Sequence, residues 1–283
     1  MPYSTSDVKD VKIKAADVRG ALIEMLPPGK VGHLGGSASA ADITAALYFK
    51  HMRVFDDPKD SRRDRCVFSK GHAVLAQYAC LADLGYFDRS ELKKLKTLDG
   101  ILQGHPDNHL TPGIEAVTGS LGQGLSVSVG MALGLRLSGS DARVFCVLGD
   151  GELAEGQIWE AAMAAAVFRC DNLCAILDCN RIQATESTEK VFPIPDIRAK
   201  WEAFGWHVIE IDGHDVTQIL AALEEADGMK NRPVFILAHT VKGRGFAFAE
   251  DTAQFHNKAM NEEQYHEALE AVRKMKEEAQ NGE

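Results

Sequence analysis

The chain has 283 residues, of which 45% are hydrophobic and 25% are charged, values that exclude disorder, collagen and coiled coil. Its 31 basic and 41 acidic side chains give a net charge of −10, which argues against binding to nucleic acid or to an anionic membrane surface. No apolar run approaches the roughly 18 residues of a membrane-spanning helix, and the N-terminus lacks the features of a signal peptide, so the sequence predicts a cytoplasmic protein.

Seven segments have apolar residues at helical spacing, and five short, continuously apolar runs predict strands. In chain order the sequence predicts helices over 8–26 and 38–51, a strand over 66–68, helices over 71–84 and 121–137, a strand over 144–148, a helix over 155–168, strands over 173–177 and 207–211, a helix over 216–226, a strand over 234–238 and a polar helix over 261–280.

The fold class predicted from these elements is α/β, a doubly wound, mostly parallel sheet with helices on both faces. Helices and strands alternate from Leu121 onward, and continuously apolar strands are typical of a sheet that is buried on both faces. We expect one domain over 1–283, with a core at about 14–264 and a C-terminal helical tail over 265–283. Ligands bind such sheets at the carboxyl edge, so the functional residues should follow the strands.

The six cysteines are too few for a disulfide scaffold in a chain of this length. Four lie inside apolar runs, as Cys146 and Cys174 do, which predicts small buried side chains in a reducing compartment. No Cys-x-x-Cys motif occurs, so we do not expect a structural zinc.

Two polar motifs follow neighbouring predicted strands. Gly149-Asp150-Gly151 is a turn whose glycines we expect to adopt backbone angles that other residues avoid, and to let a bulky anion approach the main chain. Asn180 follows the next strand, and because parallel strands end at one edge, it should lie close to Asp150. A carboxylate and a side-chain carbonyl suit a hard ion such as Mg²⁺ and leave coordination positions for a diphosphate. An ordinary turn at Asp150 and a helix cap at Asn180 are the alternatives.

These two motifs resemble the thiamine-diphosphate motif, a Gly-Asp-Gly separated from an Asn by just under thirty residues. Most of the chain, from about Lys14 to Gln264, is similar to the N-terminal, diphosphate-binding half of transketolases. The motifs that carry the resemblance are Gly32-His33-Leu34-Gly35-Gly36-Ser37, Ser69-Lys70-Gly71-His72, Gly104-His105-Pro106, Thr118-Gly119-Ser120-Leu121-Gly122-Gln123-Gly124, Lys242-Gly243-Arg244-Gly245 and Phe255-His256-Asn257-Lys258-Ala259.

The resemblance implies a thiamine-diphosphate-binding fold and a divalent ion, Mg²⁺ or in its place Ca²⁺ or Mn²⁺. The implied metal ligands are Asp150, Asn180 and the main-chain oxygen of Ile182. The backbone N–H of Gly151 would face the phosphate oxygens, where a helix N-terminus also favours negative charge. The implied cofactor-binding residues are His72, Gly119, Ser120, Leu121, Asp150, Gly151, Glu155, Asn180 and His256.

Four of the ten histidines occupy the family's active-site positions and are the predicted catalytic residues: His33, His72, His105 and His256. Each could donate to a sugar hydroxyl or move a proton, although any one of them taken alone is more often an ordinary loop residue. Glu155 and Glu160 match positions that the family uses in a carboxylate relay between two active sites. Helix acids favoured by the helix dipole are the alternative for both.

The implied reaction is transfer of a two-carbon ketol (glycolaldehyde) unit from a ketose donor, by default a sugar phosphate of the pentose phosphate pathway, to an aldose acceptor. The resemblance implies that full transketolases continue into a pyrimidine-binding domain, and no second set of strands for it is predicted in these 283 residues. We therefore expect a second, C-terminal subunit to supply that domain in an α2β2 assembly. The Met1 start and the charged helical tail favour a natural subunit over a fragment.

Several alternatives remain open. The α subunit of a 2-oxo acid dehydrogenase has a similar domain, but lacks the Ser-Lys-Gly-His and Gly-His-Pro loops in this order. A non-catalytic diphosphate-domain partner is disfavoured by the intact ligand and histidine positions. A Rossmann oxidoreductase is disfavoured by the spacing of the glycines in 119–124. The chain departs from the family pattern at Phe255, Asn257 and Met260, beside His256.

Overall fold

The structure is a computed structural model that describes residues 3–282. Its centre is a parallel sheet of five strands in the order β1-β2-β3-β5-β4. The strands are β1 (Arg65–Phe68), β2 (Val144–Gly149), β3 (Leu173–Cys179), β4 (His207–Asp212) and β5 (Val234–His239).

Ten α-helices surround the sheet in the described part of the chain. They are α1 (Thr5–Met25), α2 (Leu34–Ser39), α3 (Ala41–Ala46), α4 (Val74–Asp83), α5 (Gln123–Leu137), α6 (Gly156–Val167), α7 (Thr188–Val191), α8 (Ile197–Ala203), α9 (Val216–Gly228) and α10 (Glu262–Asn281). A π-helical turn, Leu47–His51, follows α3, and short 3₁₀ turns include Gly71–Ala73 and Gly151–Ala154.

Two hydrophobic cores lie on opposite faces of the sheet and confirm the doubly wound arrangement. Phe145 and Val147 of β2 face a core shared with α1, α3, α4 and α9. Val144, Cys146 and Leu148 alternate with them and face a second core shared with α5, α6 and α8. Strands covered on both faces need apolar residues at every position, which is why the central strands are continuously apolar.

The edge strand β4 differs from this prediction. It pairs only with β5, and only Val208 and Ile211 of its six residues are fully buried, while Glu210 and Asp212 are exposed. Full burial on both faces was therefore the wrong expectation for β4, whereas the other edge strand, β1, is buried at three of its four positions.

The sequence pattern also missed α8. Helix α8 has only seven residues, so its buried Trp201 gave no periodic signal. The expected tail belongs to α10, which begins with a capping box at Asn261 and packs along α1. All six cysteines are free and buried, as predicted. No helix within residues 3–282 is long and apolar enough to cross a membrane.

Candidate functional site

A cavity of about 260 Å³ opens at the carboxyl edge of β1, β2, β3 and β5. The loops that follow these strands supply most of its wall, together with the loop before α2 and the segment before α5. The residues that line it are His33, Gly36, Lys70, His72, His105, Gly119, Leu121, Gly149, Asp150, Gly151, Glu152, Asn180, Ile182, Gln183, Ala184, Lys242 and His256.

Asp150 lies at the end of β2 and caps the short 3₁₀ turn that follows it. One of its carboxylate oxygens accepts a hydrogen bond from the Gly151 N–H at 2.8 Å, and the other accepts from the Arg181 N–H. Burial, reinforced by the charge of Asp178, raises the pKa of Asp150 to about 6. A buried carboxylate whose charge is incompletely balanced is suited to a cation.

Neither Gly149 nor Gly151 has a positive φ, so the expectation of unusual backbone angles in this turn is wrong. The lack of a side chain at Gly151 instead allows Gln183 to pack closely against it, because a Cβ there would lie 2.9 Å from the Cγ atom of Gln183. The expectation that an anion can approach the main chain here is consistent with the position of Gly151 on the cavity wall.

Asn180 follows β3 and lies on the same cavity wall as Asp150, as the adjacency of β2 and β3 predicted. Its amide nitrogen donates to an Asp178 oxygen at 3.0 Å, and its side-chain oxygen accepts from the Ile182 N–H at 3.2 Å. The main-chain oxygen of Ile182 accepts a hydrogen bond from Lys242 at 2.9 Å. The three predicted metal-ligand positions are therefore brought together.

Beneath this wall, Lys70 and Asp178 form an ion pair whose side chains are 1% and 0% exposed. Burial alone would raise the pKa of Asp178, but the charge and hydrogen bond of Lys70 outweigh it and hold that pKa below its usual range. Lys70 also donates to the main-chain oxygen of Gly36 at 3.0 Å. The pair ties the loop after β1 to β3 and to helix α2.

The four predicted active-site histidines form one cluster on the cavity wall. The ring centroid of His33 lies 5.6 Å from that of His72, 5.5 Å from that of His105 and 5.3 Å from that of His256. The rings of His72 and His256 are 4.9 Å apart. Loops separated by more than 200 residues of sequence thus converge on one point.

Burial is the main cause that lowers the pKa of each of these histidines. The pKa of His33 falls to about 3, with contributions from His256 and His105, and that of His256 falls to about 4, with contributions from Lys242 and Lys70. The pKa values of His72 and His105 are lowered in the same direction. At neutral pH the four rings are therefore uncharged, each with one N–H donor and one acceptor nitrogen.

The loop before α5 is fixed by a buried carboxylate that the sequence patterns did not reveal. Glu152 accepts hydrogen bonds from the Gly122 N–H at 2.8 Å, the Gly149 N–H at 3.1 Å and the Ser69 hydroxyl. Burial raises its pKa. Gly119 on this loop has a φ of +129°, and a Cβ there would lie 2.6 Å from a ring carbon of His105.

Three predicted site residues lie outside the cavity wall in this chain. Ser120 is exposed, because the chain reverses between Gly119 and Gly122, both with positive φ. Glu155 and Glu160 are exposed at the start of α6. The structure does not bring these three side chains to the cavity, and their roles stay predictions.

The cavity fits thiamine diphosphate and a divalent ion on three grounds. The Nδ1 atom of His33 is buried without a hydrogen-bond partner, which leaves it available to a ligand. Glycines cradle the cavity, and at Gly36 a Cβ would lie 3.2 Å from His72 Nε2. The donors are oxygens of the kind that Mg²⁺ prefers. No group of three His, Cys, Asp or Glu side chains in residues 3–282 could hold a metal, so an ion here depends on amide, main-chain or ligand oxygens.

The residues that sequence reasoning missed are Lys70, Glu152, Asp178 and Lys242. Lys70 and Lys242 lie within motifs that resemble the family's, where a lysine among glycines and apolar residues is a signal of a buried charge. Asp178 is a carboxylate at the end of a continuously apolar strand. A buried carboxylate of this kind needs a partner, but the sequence alone does not say which cation is the partner. The six other histidines do not line this cavity.

Comparison with known proteins finds similar proteins over most of the chain. Residues 12–276 match the family described as "Transketolase, thiamine diphosphate binding domain". The chain is 40% identical over 266 residues to a subunit of apulose-4-phosphate transketolase from Phocaeicola vulgatus, a match that covers 94% of each chain. It is 41% identical over 268 residues to the 6-deoxy-6-sulfo-D-fructose transketolase subunit SqwG of a Clostridium species, covering 94% of this chain and 97% of that one.

Longer proteins match through one part of their length. Human transketolase is 39% identical over 254 residues, which are 88% of this chain and 40% of the human protein. The crystal structure of transketolase from Campylobacter jejuni superposes with a TM-score of 0.84 at 28% identity, covering 96% of this chain and 46% of that one. The chain thus spans less than half of the solved protein.

Proposed function

Since this chain belongs to the transketolase family and contains its thiamine-diphosphate-binding domain, we propose that it is the N-terminal subunit of a transketolase built from two kinds of chain. In this proposal it transfers a two-carbon ketol unit from a ketose to an aldose. The observation that carries the proposal is the convergence of Asp150, Asn180 and the four-histidine cluster on one cavity.

The proposed metal ion, Mg²⁺ or in its place Ca²⁺ or Mn²⁺, would be held by the carboxylate of Asp150, the amide oxygen of Asn180 and the main-chain oxygen of Ile182. Oxygen atoms of this kind are the ligands that a hard ion such as Mg²⁺ prefers. Binding the ion would require Ile182 to share its oxygen with Lys242 or to change partner. Only one of the three ligands carries a charge, so metal and diphosphate should bind together.

When bound, thiamine diphosphate supplies the carbanion-stabilising chemistry of ketol transfer. The chain's own groups would bind and orient the cofactor and the sugar. The Gly151 N–H, which donates to Asp150 at 2.8 Å, would turn to a phosphate oxygen at the start of this short turn. Leu121 contributes an apolar wall. The neutral rings of His33 and His105 can hydrogen-bond sugar oxygens, and those of His72 and His256 can hydrogen-bond diphosphate oxygens or move a proton between reacting oxygens.

The second chain of the proposed enzyme supplies the pyrimidine-binding domain, in an α2β2 assembly. Two of the relatives that match along nearly their whole length are themselves named as subunits of transketolases, and this supports the same division here. Glu155 and Glu160, exposed at the start of α6, would then meet the other chains of the assembly, where the predicted relay could form. The six free thiols are consistent with the cytoplasm.

The proposed substrates are sugars that carry an anionic group. The names of these two relatives specify apulose 4-phosphate and 6-deoxy-6-sulfo-D-fructose, a phosphate and a sulfonate. Ordinary ketose phosphates of the pentose phosphate pathway are the third class to test. A panel of all three, assayed with one aldose acceptor, distinguishes them.

The test is ketol transfer by the chain mixed with its candidate C-terminal partner. We expect activity only in the mixture, only with a divalent ion and thiamine diphosphate, and abolished by Asp150→Ala. The matched control is Asp99→Ala, an exposed aspartate outside the cavity, which should keep full activity. A mixture that oxidatively decarboxylates 2-oxo acids instead, or an Asp150→Ala enzyme with unchanged cofactor affinity, would contradict the proposal.

A further inference from the structure

Lys242 is a buried lysine on the loop after β5, 2% exposed. Its stem packs against helix α2, so closely that a Cβ at Gly35 would lie 3.1 Å from its Cγ atom. Its ammonium group lies among three polar atoms. It donates to the main-chain oxygens of Ile182 at 2.9 Å and Gln183 at 2.8 Å, and its Nζ lies 3.1 Å from Nδ1 of His256.

The chemistry of these three neighbours determines which atom donates in the hydrogen bond between Lys242 and His256. Burial lowers the pKa of Lys242 to about 8, so at pH 6.5 its amine is an ammonium, which has three N–H donors and no acceptor. The two carbonyl oxygens can only accept, so each takes one N–H. The third N–H is directed to His256 Nδ1, which must accept it and therefore carries no proton.

The single proton of a neutral His256 must then be on Nε2. The ring is neutral because burial, with the charges of Lys242 and Lys70, lowers its pKa to about 4. Nε2 is on the far side of the ring from Lys242, and His256 lines the cavity. No hydrogen bond from Nε2 to another of residues 3–282 is present, so the Nε2–H group is available to a ligand oxygen.

We propose that Lys242 is a positioning residue that holds His256 as the Nε2–H tautomer, so that this ring acts in the cavity as a hydrogen-bond donor. The hydrogen bond made by one ring nitrogen of a histidine determines whether the other carries the proton. The same ammonium holds the turn at Ile182 and Gln183, so one side chain sets both the donor and the oxygen-bearing wall opposite it.

The proposal predicts what is lost when Lys242 is replaced. In Lys242→Met the stem keeps its length, but the three donors disappear. Nδ1 of His256 then has no donor facing it, and the ring is free to exchange between its two tautomers. The matched control is Lys258→Met, since Lys258 is two residues from His256 but exposed and directed over the Phe255 ring.

The experiment is long-range ¹H–¹⁵N NMR of the histidine rings in the full chain at pH 6.5, where Lys242 is charged and His256 is neutral, with His256 assigned by its absence in His256→Gln. The wild type and Lys258→Met should show an unprotonated Nδ1 and a protonated Nε2. Lys242→Met should move both nitrogen shifts toward intermediate values. A wild-type ring protonated on Nδ1, or unchanged shifts in Lys242→Met, would overturn the proposal. If Lys242→Met does not fold, the wild-type spectrum alone decides.

The consequence for catalysis rests on the proposed function and is measured separately, in the reconstituted enzyme. Lys242→Met should lower kcat by about tenfold, the lower end of effects at residues that orient a ligand-binding group, while Lys258→Met stays within about twofold. The NMR measurement needs neither partner nor cofactor, so failure of the ketol-transfer proposal and failure of the tautomer proposal give different results.

Discussion

Replacing Lys70 by methionine tests how the floor of the cavity is stabilised. Lys70 is the only cation that pairs with Asp178 within residues 3–282, and both side chains are buried. Ser39, Thr240 and Asn180 also donate to this carboxylate. Lys70→Met removes the positive charge and keeps most of the apolar stem, so Asp178 is left as an unpaired carboxylate in the core.

The expected loss follows from the burial of the pair. Removing one partner of a buried ion pair costs about 3–5 kcal/mol, and about 4 kcal/mol lowers the folding constant by roughly 10³-fold. In the wild type, the lowered pKa of Asp178 stabilises the fold above the carboxyl's unfolded pKa. In Lys70→Met burial is opposed only by hydrogen bonds from uncharged donors, and it raises that pKa. Stability is then lost as pH rises through the raised value, so the deficit should shrink as the pH is lowered.

The assay is urea unfolding of the chain, followed by far-ultraviolet circular dichroism at about pH 8 and about pH 5.5. Lys70→Met should lose about 3–5 kcal/mol at the higher pH and less at the lower. Lys70→Met/Asp178→Asn removes both charges and should recover much of the loss. Lys14→Met breaks a partly exposed pair with Asp83 and should cost less than about 1 kcal/mol. A loss in Lys70→Met no larger than in Lys14→Met would refute the reasoning.

Three further predictions concern the reconstituted enzyme. His72→Ala and His256→Ala should each slow ketol transfer by about 10²-fold, a typical contribution of an acid–base or hydrogen-bonding group; near wild-type rates in both would remove them from the catalytic set. Metal titrations should show Mg²⁺ affinity falling by up to about tenfold per unit below pH 6, because protons compete for Asp150, whose pKa is raised to about 6; an affinity independent of pH between 5 and 7 would contradict its role. Gly119→Ala should slow turnover by about 10²-fold by displacing a cavity histidine, whereas Gly130→Ala, with nothing within 4 Å of its Cβ, should not; equal rates in the two would argue against the close packing.

The features that were predicted from sequence depend on local patterns and on the rule that parallel strands end at the same edge of a sheet. Continuous apolar runs predicted all five strands, because the central ones are covered on both faces. The parallel arrangement then placed Asp150 and Asn180 at one edge. The four histidines were predicted by their resemblance to family motifs, since nothing in the spacing of His33 and His256 says that their rings lie 5.3 Å apart.

The features that were missed depend on contacts between distant segments. Nothing near Lys70 in the sequence identifies Asp178, 108 residues later, as its partner. The edge position of β4 follows from the order β3-β5-β4, which helix and strand patterns do not encode. Ser120 was predicted to bind the cofactor through its motif, but the exposure of its side chain could not be predicted, because that depends on the φ of its glycine neighbours.

The most direct test of the central claim, that this chain is one half of a two-chain transketolase, is affinity isolation from its native host followed by mass spectrometry and assay. We expect a stoichiometric second polypeptide, and ketol transfer by the isolated pair that depends on Mg²⁺ and thiamine diphosphate. A chain recovered alone, which binds no thiamine diphosphate and transfers no ketol unit from any sugar of the panel, would contradict the claim.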